Sequence, residues 1–157
     1  MQNRMKNHPL NEAGQLALLH RVQTGTLATL NEDGSPYVLP VHFIFMDGSL
    51  YFHGLPQGQK LDNLKRNDAV CFCAYEMKGL LLDGSGIPCE VNTEYESVVI
   101  SGKAEIVEQS EEKAVAFTKI IEKYTPGLSF AAIRQAALQA TMVVKIVPTQ
   151  ITGKYFG

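Results

Sequence analysis

Two residues that could do acid–base or phosphate chemistry flank a glycine-containing segment near the middle of the chain. The stretch YFHGLPQGQK places His53 and Gly54 after apolar residues typical of a strand, and Gly58, Gln59 and Lys60 before a helical pattern. Glycines let backbone N–H groups approach a ligand, and the free amides at a helix N-terminus attract anions. Lys60 has the wrong charge to stabilise the first turn of a helix, but the right charge to bind a phosphate. Since an imidazole titrates near neutral pH, His53 is a candidate proton donor beside a candidate anion-binding loop.

Both residues also have ordinary structural explanations. A histidine at the end of a strand is more often a hydrogen-bonded structural residue than a catalytic one, and most lysines are solvated surface residues. His53 and Lys60 stand at positions where either explanation applies. The spacing alone leaves the structural and the functional interpretations open.

The elements around this segment predict an antiparallel β-meander. The β-rich runs GTLATL, PYVLPVHFIF and SLYFHG are separated by the turn dipeptides Asp33-Gly34 and Asp47-Gly48. Pro40, inside the second run, cannot donate a ladder hydrogen bond. We therefore expect an edge or an irregularity at Pro40, where neighbouring backbone groups are free to contact a ligand.

One helix is predicted on each side of the meander. The first, capped by Asn11 and ended by Gly25, closes a lead-in of residues 1–24, and its apolar face holds Leu16, Leu19 and Val22. The second, QKLDNLKRN, has leucines three residues apart and is too polar to be a strand. This second pattern predicts a short surface helix directly after Lys60.

The second half of the chain adds strands and two further helices. AVCFCAY is predicted to be a buried strand, residues 77–92 a long connection, and YESVVISGKAEIV a long strand with a bend or bulge at Gly102. A helix is expected from Ser110 to the Thr-Pro-Gly break, and a short one around residues 130–138 precedes the last strand, TMVVKIV. The apolar residues expected to face the core from the Ser110 helix are Val115, Ile120 and Ile121.

These elements fit one domain that spans residues 1–157. About six strands with no strand–helix–strand alternation predict a mainly β, α+β fold, in which an antiparallel sheet or barrel carries peripheral helices. An apolar content of 45% is enough to bury an ordinary core.

Charge and composition exclude several function classes. The chain has 14 Lys and Arg residues against 16 Asp and Glu residues, a net charge of −2, so it lacks the basic field that would hold a nucleic acid. Its N-terminal stretch MQNRMKNHPLNEAG has no apolar signal region, and no apolar run is long enough to cross a bilayer. We expect a cytoplasmic protein that contacts neither nucleic acid nor membrane.

The cysteines and histidines do not predict a metal centre. Three cysteines in a chain without a signal peptide indicate free thiols. Cys71 and Cys73 have neither a redox nor a zinc spacing and share one face of a strand, which predicts two small core residues. His42 and His53 lie on different predicted strands, so we expect no tight metal site. Cys89 lies in the long connection, with no readable neighbourhood that would make its thiol reactive.

Much of the chain resembles a known family. The run from GTLATL to the strand AVCF resembles the flavin-binding split β-barrel of the pyridoxamine 5'-phosphate oxidase-like superfamily. The segment IPCEVNTEYESVVISGKAEIV is similar to the 5-nitroimidazole resistance (Nim) branch, which carries a Pro-Cys pair before a Tyr-x-Ser-Val strand, and VVKIVPTQITGK is similar to its closing strand. The match runs from about Gly25 to Lys154, and the order and spacing of its pieces are more specific than any one piece.

The resemblance implies a six-stranded antiparallel split β-barrel that forms a homodimer, with one flavin mononucleotide (FMN) in each cleft between the subunits. His53 would lie on the reactive face of the flavin as proton donor or substrate contact. Gln59 stands where the family has an arginine of its phosphate clamp, which leaves Lys60 as the cation there, and Arg66 and Arg134 are candidate substitutes. The positions implied to contact the cofactor are Pro40, Val41, His42, Phe43, His53, Gly54, Gly58, Gln59, Lys60 and, from the partner subunit, Ser97 and Ser101.

The function implied by this resemblance is an FMN-dependent reductase of small aromatic or nitroaromatic compounds. Pyridoxamine phosphate oxidase activity itself is not expected, because the chain has no tryptophan and ends in ITGKYFG rather than in the arginine-rich segment of that enzyme. One alternative is a module that binds haem, through His42 or His53, or stores flavin without turnover. Another is a degenerate site without a cofactor, which would leave the glycine pattern and the long connection without a purpose.

Overall fold

Seven strands form one sheet in which all neighbouring pairs are antiparallel. The computed structural model describes residues 7–82, 84, 86–128 and 135–157. The strands are β1 (Gly25–Leu30), β2 (Pro36–Val41), β3 (Phe43–Met46), β4 (Ser49–Gly54), β5 (Ala69–Leu81), β6 (Asn92–Ile106) and β7 (Met142–Phe156). The described helices are α1 (Glu12–Arg21), α2 (Gln59–Arg66), α3 (Ser110–Tyr124) and α4 (Gln135–Ala140), with a 3₁₀ turn at Pro88–Glu90.

The strand order shows how this sheet becomes a barrel. The order is β2–β1–β5–β6–β7–β4–β3, so β2 and β3 lie at opposite edges. His42 alone joins Val41, the last residue of β2, to Phe43, the first of β3. Because consecutive Cα atoms are about 3.8 Å apart, the two edges must approach each other at His42. The sheet therefore curls into an antiparallel barrel that is split between β2 and β3, where the described residues form no ladder.

This architecture confirms the predicted mainly β, α+β split barrel with peripheral helices. The number of strands is seven rather than six, because PYVLPVHFIF is broken at His42 into two strands that pair with different neighbours. The predicted turn between β3 and β4 is present: Asp47 and Gly48 have φ angles of 49° and 74°, as a two-residue hairpin of this hand requires.

Two apolar layers position the elements. The barrel interior holds alternate residues of the strands, such as Leu27 and Phe72, which are fully buried, and α1 and α2 add leucines to the same cluster. A second cluster fills the space between α3 and the outer faces of β3, β4 and β7, and it includes Tyr51 and Ile120. Helix α2 thus covers one part of the barrel and α3 another, and the two helices approach β4 from different sides.

Several predicted boundaries need correction. Asn11 caps α1 as expected, since its side chain accepts a hydrogen bond from the Gly14 N–H at 2.9 Å, but the helix ends at Arg21 and Gly25 begins β1. In α3, Ile120 is buried whereas Val115 is 47% exposed, because Ala116 takes the core-facing position beside it.

The expected long connection is shorter than residues 77–92. Strand β5 continues to Leu81 and pairs with β6 from Asn92 onward, so the connection comprises residues 82–91. The predicted helix around residues 130–138 lies partly outside the described residues, and its described part is helical from Gln135. The bend at Gly102 is confirmed: the register with β7 shifts there, and a Cβ at Gly102 would lie 2.5 Å from the Val147 carbonyl oxygen.

The prediction that Cys71 and Cys73 are core residues is wrong. In β5 the alternate residues Val70, Phe72 and Ala74 face the barrel interior, so the cysteines lie on the outer face, Cys71 exposed and Cys73 half-buried. Alternate residues of a strand face opposite sides of the sheet. In a strand made of small and apolar residues, one set of small side chains therefore lies on the outer face in either register.

No helix within the described part of the chain has the length and apolar character needed to cross a bilayer.

Candidate functional site

The segment from β4 to α2 bends sharply at the edge of the barrel. Gly58 precedes α2 with a φ of 117°, a backbone conformation that L side chains rarely adopt, and its carbonyl oxygen accepts hydrogen bonds from the Leu61 and Asp62 N–H groups. Leu61 and Leu64 then bury the other side of α2 in the barrel interior. The glycine and the two leucines together hold the N-terminus of α2 beside the end of β4.

Lys60, in the first turn of α2, folds back over the end of β4. Its Nζ lies 4.8 Å from the centroid of the fully buried Phe52 ring, and a Cβ at Gly54 would be 3.1 Å from that nitrogen. Burial lowers the pKa of Lys60 from its ordinary value. Within the described residues no carboxylate pairs with this ammonium group. Gly54 is therefore needed for close approach, and Lys60 is a half-buried cation without an anion.

His53, the penultimate residue of β4, faces the layer between the barrel and α3. Its ring makes an edge contact with Phe117, with centroids 5.7 Å apart. In the described structure its Nδ1 is the one buried side-chain nitrogen or oxygen without a hydrogen-bond partner. Burial lowers the pKa of His53, and the nearby His42 and Lys60 lower it further. These two electrostatic effects place His42, His53 and Lys60 in one group, which we call the cationic cluster.

His42 sits at the split of the barrel and is held there by α3. Its ring stacks on Tyr124, the last residue of α3, with centroids 4.2 Å apart and planes 17° from parallel. The Tyr124 hydroxyl accepts a hydrogen bond from the Phe43 N–H at 2.7 Å and donates one to the Gln23 carbonyl oxygen. Tyr124 thus fastens the crossing between β2 and β3, the backbone that the sequence predicted to be free for a ligand.

Sequence reasoning did not find Tyr124. Its hydrogen bond to Phe43 joins residues 81 positions apart. The sequence around Tyr124 predicts only that a helix ends there. A tyrosine that forms the last turn of a helix carries no signal of the distant strand it contacts.

Gln59 and Arg66 are engaged on the side of α2 that faces the β1–β2 turn. The Gln59 side-chain amide donates to the Asn31 Oδ1 at 2.9 Å, and Arg66 donates to Asn63 Oδ1 at 2.6 Å and pairs with Glu32 at 3.3 Å. Neither side chain is therefore free to join Lys60 in this conformation. Arg134, the other candidate substitute, lies outside the described residues.

The remaining predicted positions separate into two groups. Pro40 is exposed at the edge strand β2, where it pairs with Thr26, and Val41 is buried in the core. Ser97 and Ser101 lie on β6, half or more buried, on the outer face that also carries the β5 cysteines. They are not close to the cationic cluster along the sheet.

The separation follows from the register of β7. His53 pairs with Val143 near the start of β7, and Ser97 pairs with Lys154 near its end. These two positions are eleven residues apart on β7, or roughly 36 Å of strand at about 3.3 Å per residue. Along the sheet of one chain, His53 and Ser97 are therefore well separated.

Comparison with known proteins assigns the chain to a family. The family model described as pyridoxamine 5'-phosphate oxidase matches residues 12–155. The chain belongs to this family. No curated protein matches the sequence significantly.

Solved structures agree with the family assignment. The chain is similar to a candidate 5-nitroimidazole antibiotic resistance protein from Bacteroides thetaiotaomicron, with 28% identity, a TM-score of 0.78, and coverage of 92% of this chain and 83% of that one. It is also similar to a candidate pyridoxamine 5'-phosphate oxidase from Corynebacterium glutamicum, with 30% identity, a TM-score of 0.61, and coverage of 94% and 96%. A protein from Mycobacterium smegmatis that binds FAD and haem shares the fold, with 19% identity, a TM-score of 0.80, and coverage of 93% and 71%.

Proposed function

We propose that the chain binds FMN and acts as an FMN-dependent reductase of small aromatic or nitroaromatic compounds. The observation that carries this proposal is the cationic cluster, in which the buried His53 Nδ1 has no partner and Lys60 has no anion among the described residues. A buried polar atom without a hydrogen bond costs free energy, and so does a half-buried ammonium group without an anion. A ligand that brings both an anion and a polar edge would relieve both costs.

The residues of the cluster fit the two ends of FMN. Lys60 and the free N–H groups at the start of α2 would hold the phosphate, as cations and helix N-termini do in phosphate sites generally. His53 and the backbone around His42 would contact the flavin ring. When bound, FMN would supply the electron transfer.

His53 would then hold a proton at the edge of the ring. Its lowered pKa makes the imidazole neutral at pH 7, so it can donate one hydrogen bond and accept another without carrying a charge into the site. Phe117 packs against its edge and fixes its orientation, while Tyr124 does the same for His42.

We infer that the active form is a homodimer with FMN between the subunits. Ser97 and Ser101 match cofactor-contacting positions by resemblance, yet the β7 partners of Ser97 and His53 are separated by roughly 36 Å of strand in the same chain. A second copy that places its β6 beside the first copy's cationic cluster would bring both sets of residues to one ligand. Sedimentation of the FMN-loaded protein tests this: a monomer that retains FMN would contradict it.

The choice of substrate class rests on the relative from Bacteroides thetaiotaomicron, whose name refers to resistance against 5-nitroimidazoles, which are small nitroaromatic compounds. Its 28% identity over 92% of this chain supports a similar acceptor here. Oxidation of pyridoxamine 5'-phosphate is the less favoured activity, because strand β7 contains no arginine that could hold the substrate phosphate.

The visible absorption spectrum of the purified protein, recorded after adding FMN and separately after adding haem, tests cofactor binding. We expect a two-band flavin spectrum that stays with the protein through gel filtration, at one FMN per chain. A Soret band with no flavin retained would favour the haem-binding alternative, which the Mycobacterium smegmatis neighbour makes worth testing. Retention of neither chromophore would overturn the proposal.

Turnover is tested by reducing the bound flavin with dithionite and following its reoxidation by a nitroaromatic acceptor without oxygen. His53→Asn should retain FMN and slow this reoxidation. If His53→Asn loses the flavin instead, His53 serves binding rather than proton delivery.

A further inference from the structure

A cavity of about 430 Å³ lies beside the outer edge of β3, and no residue assigned to FMN lines it. Strand β3 is the last strand of the sheet and pairs with β4 on one side only. The cavity is lined by Ile44, Phe45 and Met46 of β3, by His20 near the end of α1, and by residues from the last turns of α3. A volume of several hundred Å³ is usual for a small-molecule site.

The backbone of Phe43 shows which groups of β3 point toward this edge. The Phe43 N–H donates to the Tyr124 hydroxyl at 2.7 Å, and the Phe43 carbonyl oxygen lies 3.1 Å from the same hydroxyl. Both groups therefore point away from β4, and Phe43 forms a non-hydrogen-bonded pair with Phe52. The backbone of a strand repeats every two residues, so the N–H and C=O groups of Phe45 also point away from β4.

Unlike Phe43, Phe45 has no partner for these two groups in the described part of the chain. Its side chain lies in the barrel interior and the residue is 7% exposed, so Phe45 lines the cavity with its backbone. An unpaired N–H and an unpaired C=O at a buried residue cost free energy. A ligand in the cavity that bonds both groups would remove this cost.

The two groups of Phe45 have a specific chemical complement. In a hydrogen-bonded antiparallel pair, the N–H and C=O of one residue bond the C=O and N–H of the residue opposite. An N-acyl amino acid carries this donor and acceptor on either side of its Cα atom. Such a molecule would add a single residue to the edge of β3, as a longer peptide does when it adds a strand to a sheet.

The charges in the lining favour a ligand with a carboxylate. Lys119 pairs with Glu122, the one carboxylate of the lining, at 2.9 Å. Lys123 has no carboxylate partner among the described residues, and one of its three N–H donors is used by the Leu19 carbonyl oxygen at 3.0 Å. The lining is therefore positively charged, and Lys123 has donors left for an anion.

The position of Lys123 also sets the direction of the ligand. Its Nζ lies 4.0 Å from the centroid of the Phe43 ring, at the first residue of β3. A ligand antiparallel to β3 runs from the Met46 side toward the Phe43 side. Its carboxylate then lies on the Lys123 side of the cavity, and its acyl group lies beside Met46.

We propose that this cavity binds a small N-acyl amino acid with an apolar acyl group. The ligand N–H donates to the Phe45 carbonyl oxygen, and one carboxylate oxygen accepts from the Phe45 N–H. Lys123 balances the carboxylate charge, and the acyl chain packs against Ile44 and Met46. This binding site goes beyond the proposed reductase function and does not rest on it.

The first experiment is a calorimetric titration with N-hexanoylglycine and two analogues of nearly the same shape. Hexanoyloxyacetate has an ester oxygen in place of the N–H, and N-hexanoylglycinamide has no charge. Each analogue should bind about tenfold more weakly, because the first lacks the donor to Phe45 and the second lacks the charge-assisted contacts. Equal binding of the acid and its ester, or no binding of N-hexanoylglycine at millimolar concentrations, would overturn the proposal.

A variant of Lys123 tests the charge contact. Lys123→Met should remove the preference for N-hexanoylglycine over N-hexanoylglycinamide. Lys113→Met is the matched control, because Lys113 lies near the start of α3 and does not line the cavity. It should leave the preference unchanged. A preference that survives in Lys123→Met would contradict the proposed direction of the ligand, and the comparison of acid with ester needs no variant.

Amide hydrogen exchange followed by NMR examines Phe45 itself. In the free protein the Phe45 N–H should exchange faster than the N–H groups of Ile44 and Met46, which face β4. At about 90% occupancy, N-hexanoylglycine should slow exchange at Phe45 about tenfold, because only the free protein exchanges. Exchange at Phe45 that is as slow as at its two neighbours without ligand, or that N-hexanoylglycine does not slow, would overturn the proposal.

Repeating the titration with the FMN-loaded protein separates this proposal from the proposed function. The affinity for N-hexanoylglycine should be unchanged, because the cavity shares no residue with the cationic cluster. Displacement of FMN by N-hexanoylglycine would overturn the proposal of a separate site. If the protein binds N-hexanoylglycine as described but no FMN, the proposed function fails and the site beside β3 stands.

Discussion

Arg21 and Lys60 both place a positive charge against the barrel, but only Arg21 has acidic partners in the described structure. The Arg21 guanidinium donates to Glu76 at 2.6 Å and to Glu96 at 2.7 Å, and Lys78 also pairs with Glu96 at 2.6 Å. Hydrogen bonds from these cations lower the pKa of Glu96. In this network each charged side chain has a partner of opposite charge, as a purely structural network requires.

Lys60 shows the opposite arrangement. It is more buried than Arg21 and lies over the Phe52 ring, with His53 rather than an acid nearby. Burial is not the distinguishing feature. Lys123 is also half-buried, with a pKa lowered to about 8 by burial, yet its ammonium donates to the Leu19 carbonyl oxygen at 3.0 Å. The missing partner, rather than the buried charge, points to a ligand at the cationic cluster.

The largest expected effect comes from removing the unpaired charge. Lys60→Met should weaken FMN binding by about 2 kcal/mol, or roughly 30-fold, because a charge-assisted hydrogen bond to phosphate is lost. The free energy of urea unfolding without FMN should stay within about 0.5 kcal/mol, since in the described chain the ammonium has no hydrogen-bond or ion-pair partner to lose and methionine can keep the contact with the Phe52 ring. Fluorescence quenching of FMN measures the affinity.

Lys65→Met is the matched control, because Lys65 is an exposed lysine near the other end of α2. It should leave the FMN affinity unchanged. Equal FMN affinity in wild type and Lys60→Met would show that Lys60 is an ordinary surface lysine after all.

The next prediction concerns the stability of the backbone at the barrel split rather than ligand binding. Tyr124→Phe removes the hydroxyl that accepts the Phe43 N–H and donates to the Gln23 carbonyl oxygen. Leaving these two backbone groups without a partner should cost about 1–2 kcal/mol in the free energy of unfolding. Tyr37→Phe, at a hydroxyl with no hydrogen bond in the described chain, should cost less than about 0.5 kcal/mol. Equal losses in the free energy of unfolding in the two variants would show that the Tyr124 hydroxyl does not hold the crossing between β2 and β3.

The local part of the fold was predictable because short-range chemistry determines it. The Asn11 cap, the Asp47-Gly48 turn and the bulge at Gly102 each depend on residues next to one another in sequence or directly across a ladder. The helix after Lys60 was predicted for the same reason, since Leu61 and Leu64 have the spacing of one helix face.

Long-range partners could not be predicted in the same way. Nothing in PYVLPVHFIF shows that its two halves lie at opposite edges of one sheet, because an apolar run looks the same whether its neighbours are near or far. The outward placement of Cys71 and Cys73 likewise depends on which register of β5 buries Phe72. In the site, the residue types of His53 and Lys60 were readable, but Tyr124 and the Gln59–Asn31 bond depend on contacts between distant segments.

A smaller effect should follow from breaking the satisfied network. Arg21→Met should lower the free energy of unfolding by about 0.5–1 kcal/mol, because Glu96 keeps Lys78 as a partner and the group is partly solvated. The loss should shrink at high salt, where screening weakens the wild-type pairs. The affinity for FMN should not change. A clear loss of FMN affinity in Arg21→Met would contradict the assignment of Arg21 to a purely structural network and of Lys60 to ligand binding.

The smallest effect is a pH dependence confined to the cationic cluster. The pKa of folded His53 lies below the ordinary value of 6.5, so the unfolded chain takes up a proton at this residue before the folded chain does. The contribution of neutral His53 to the free energy of unfolding is therefore fully present above pH 6.5. It is lost as the pH falls from 6.5 through the lower pKa of His53 in the folded chain. Glu96, whose pKa lies below 4.5, loses its contribution only at more acidic pH, so the window between about pH 6.5 and 5 reports on His53 rather than on that carboxylate.

His53→Gln tests this assignment, because glutamine keeps a polar side chain at the position but does not titrate. As the pH falls from 6.5 to 5, the free energy of unfolding of the wild type should fall further than that of His53→Gln. Saturating inorganic phosphate should reduce the difference, since an anion held by Lys60 raises the pKa of a neighbouring imidazole. Parallel pH profiles in wild type and variant would mean that His53 takes up its proton equally in the folded and unfolded chain, and the electrostatic argument for an anion beside it would fail.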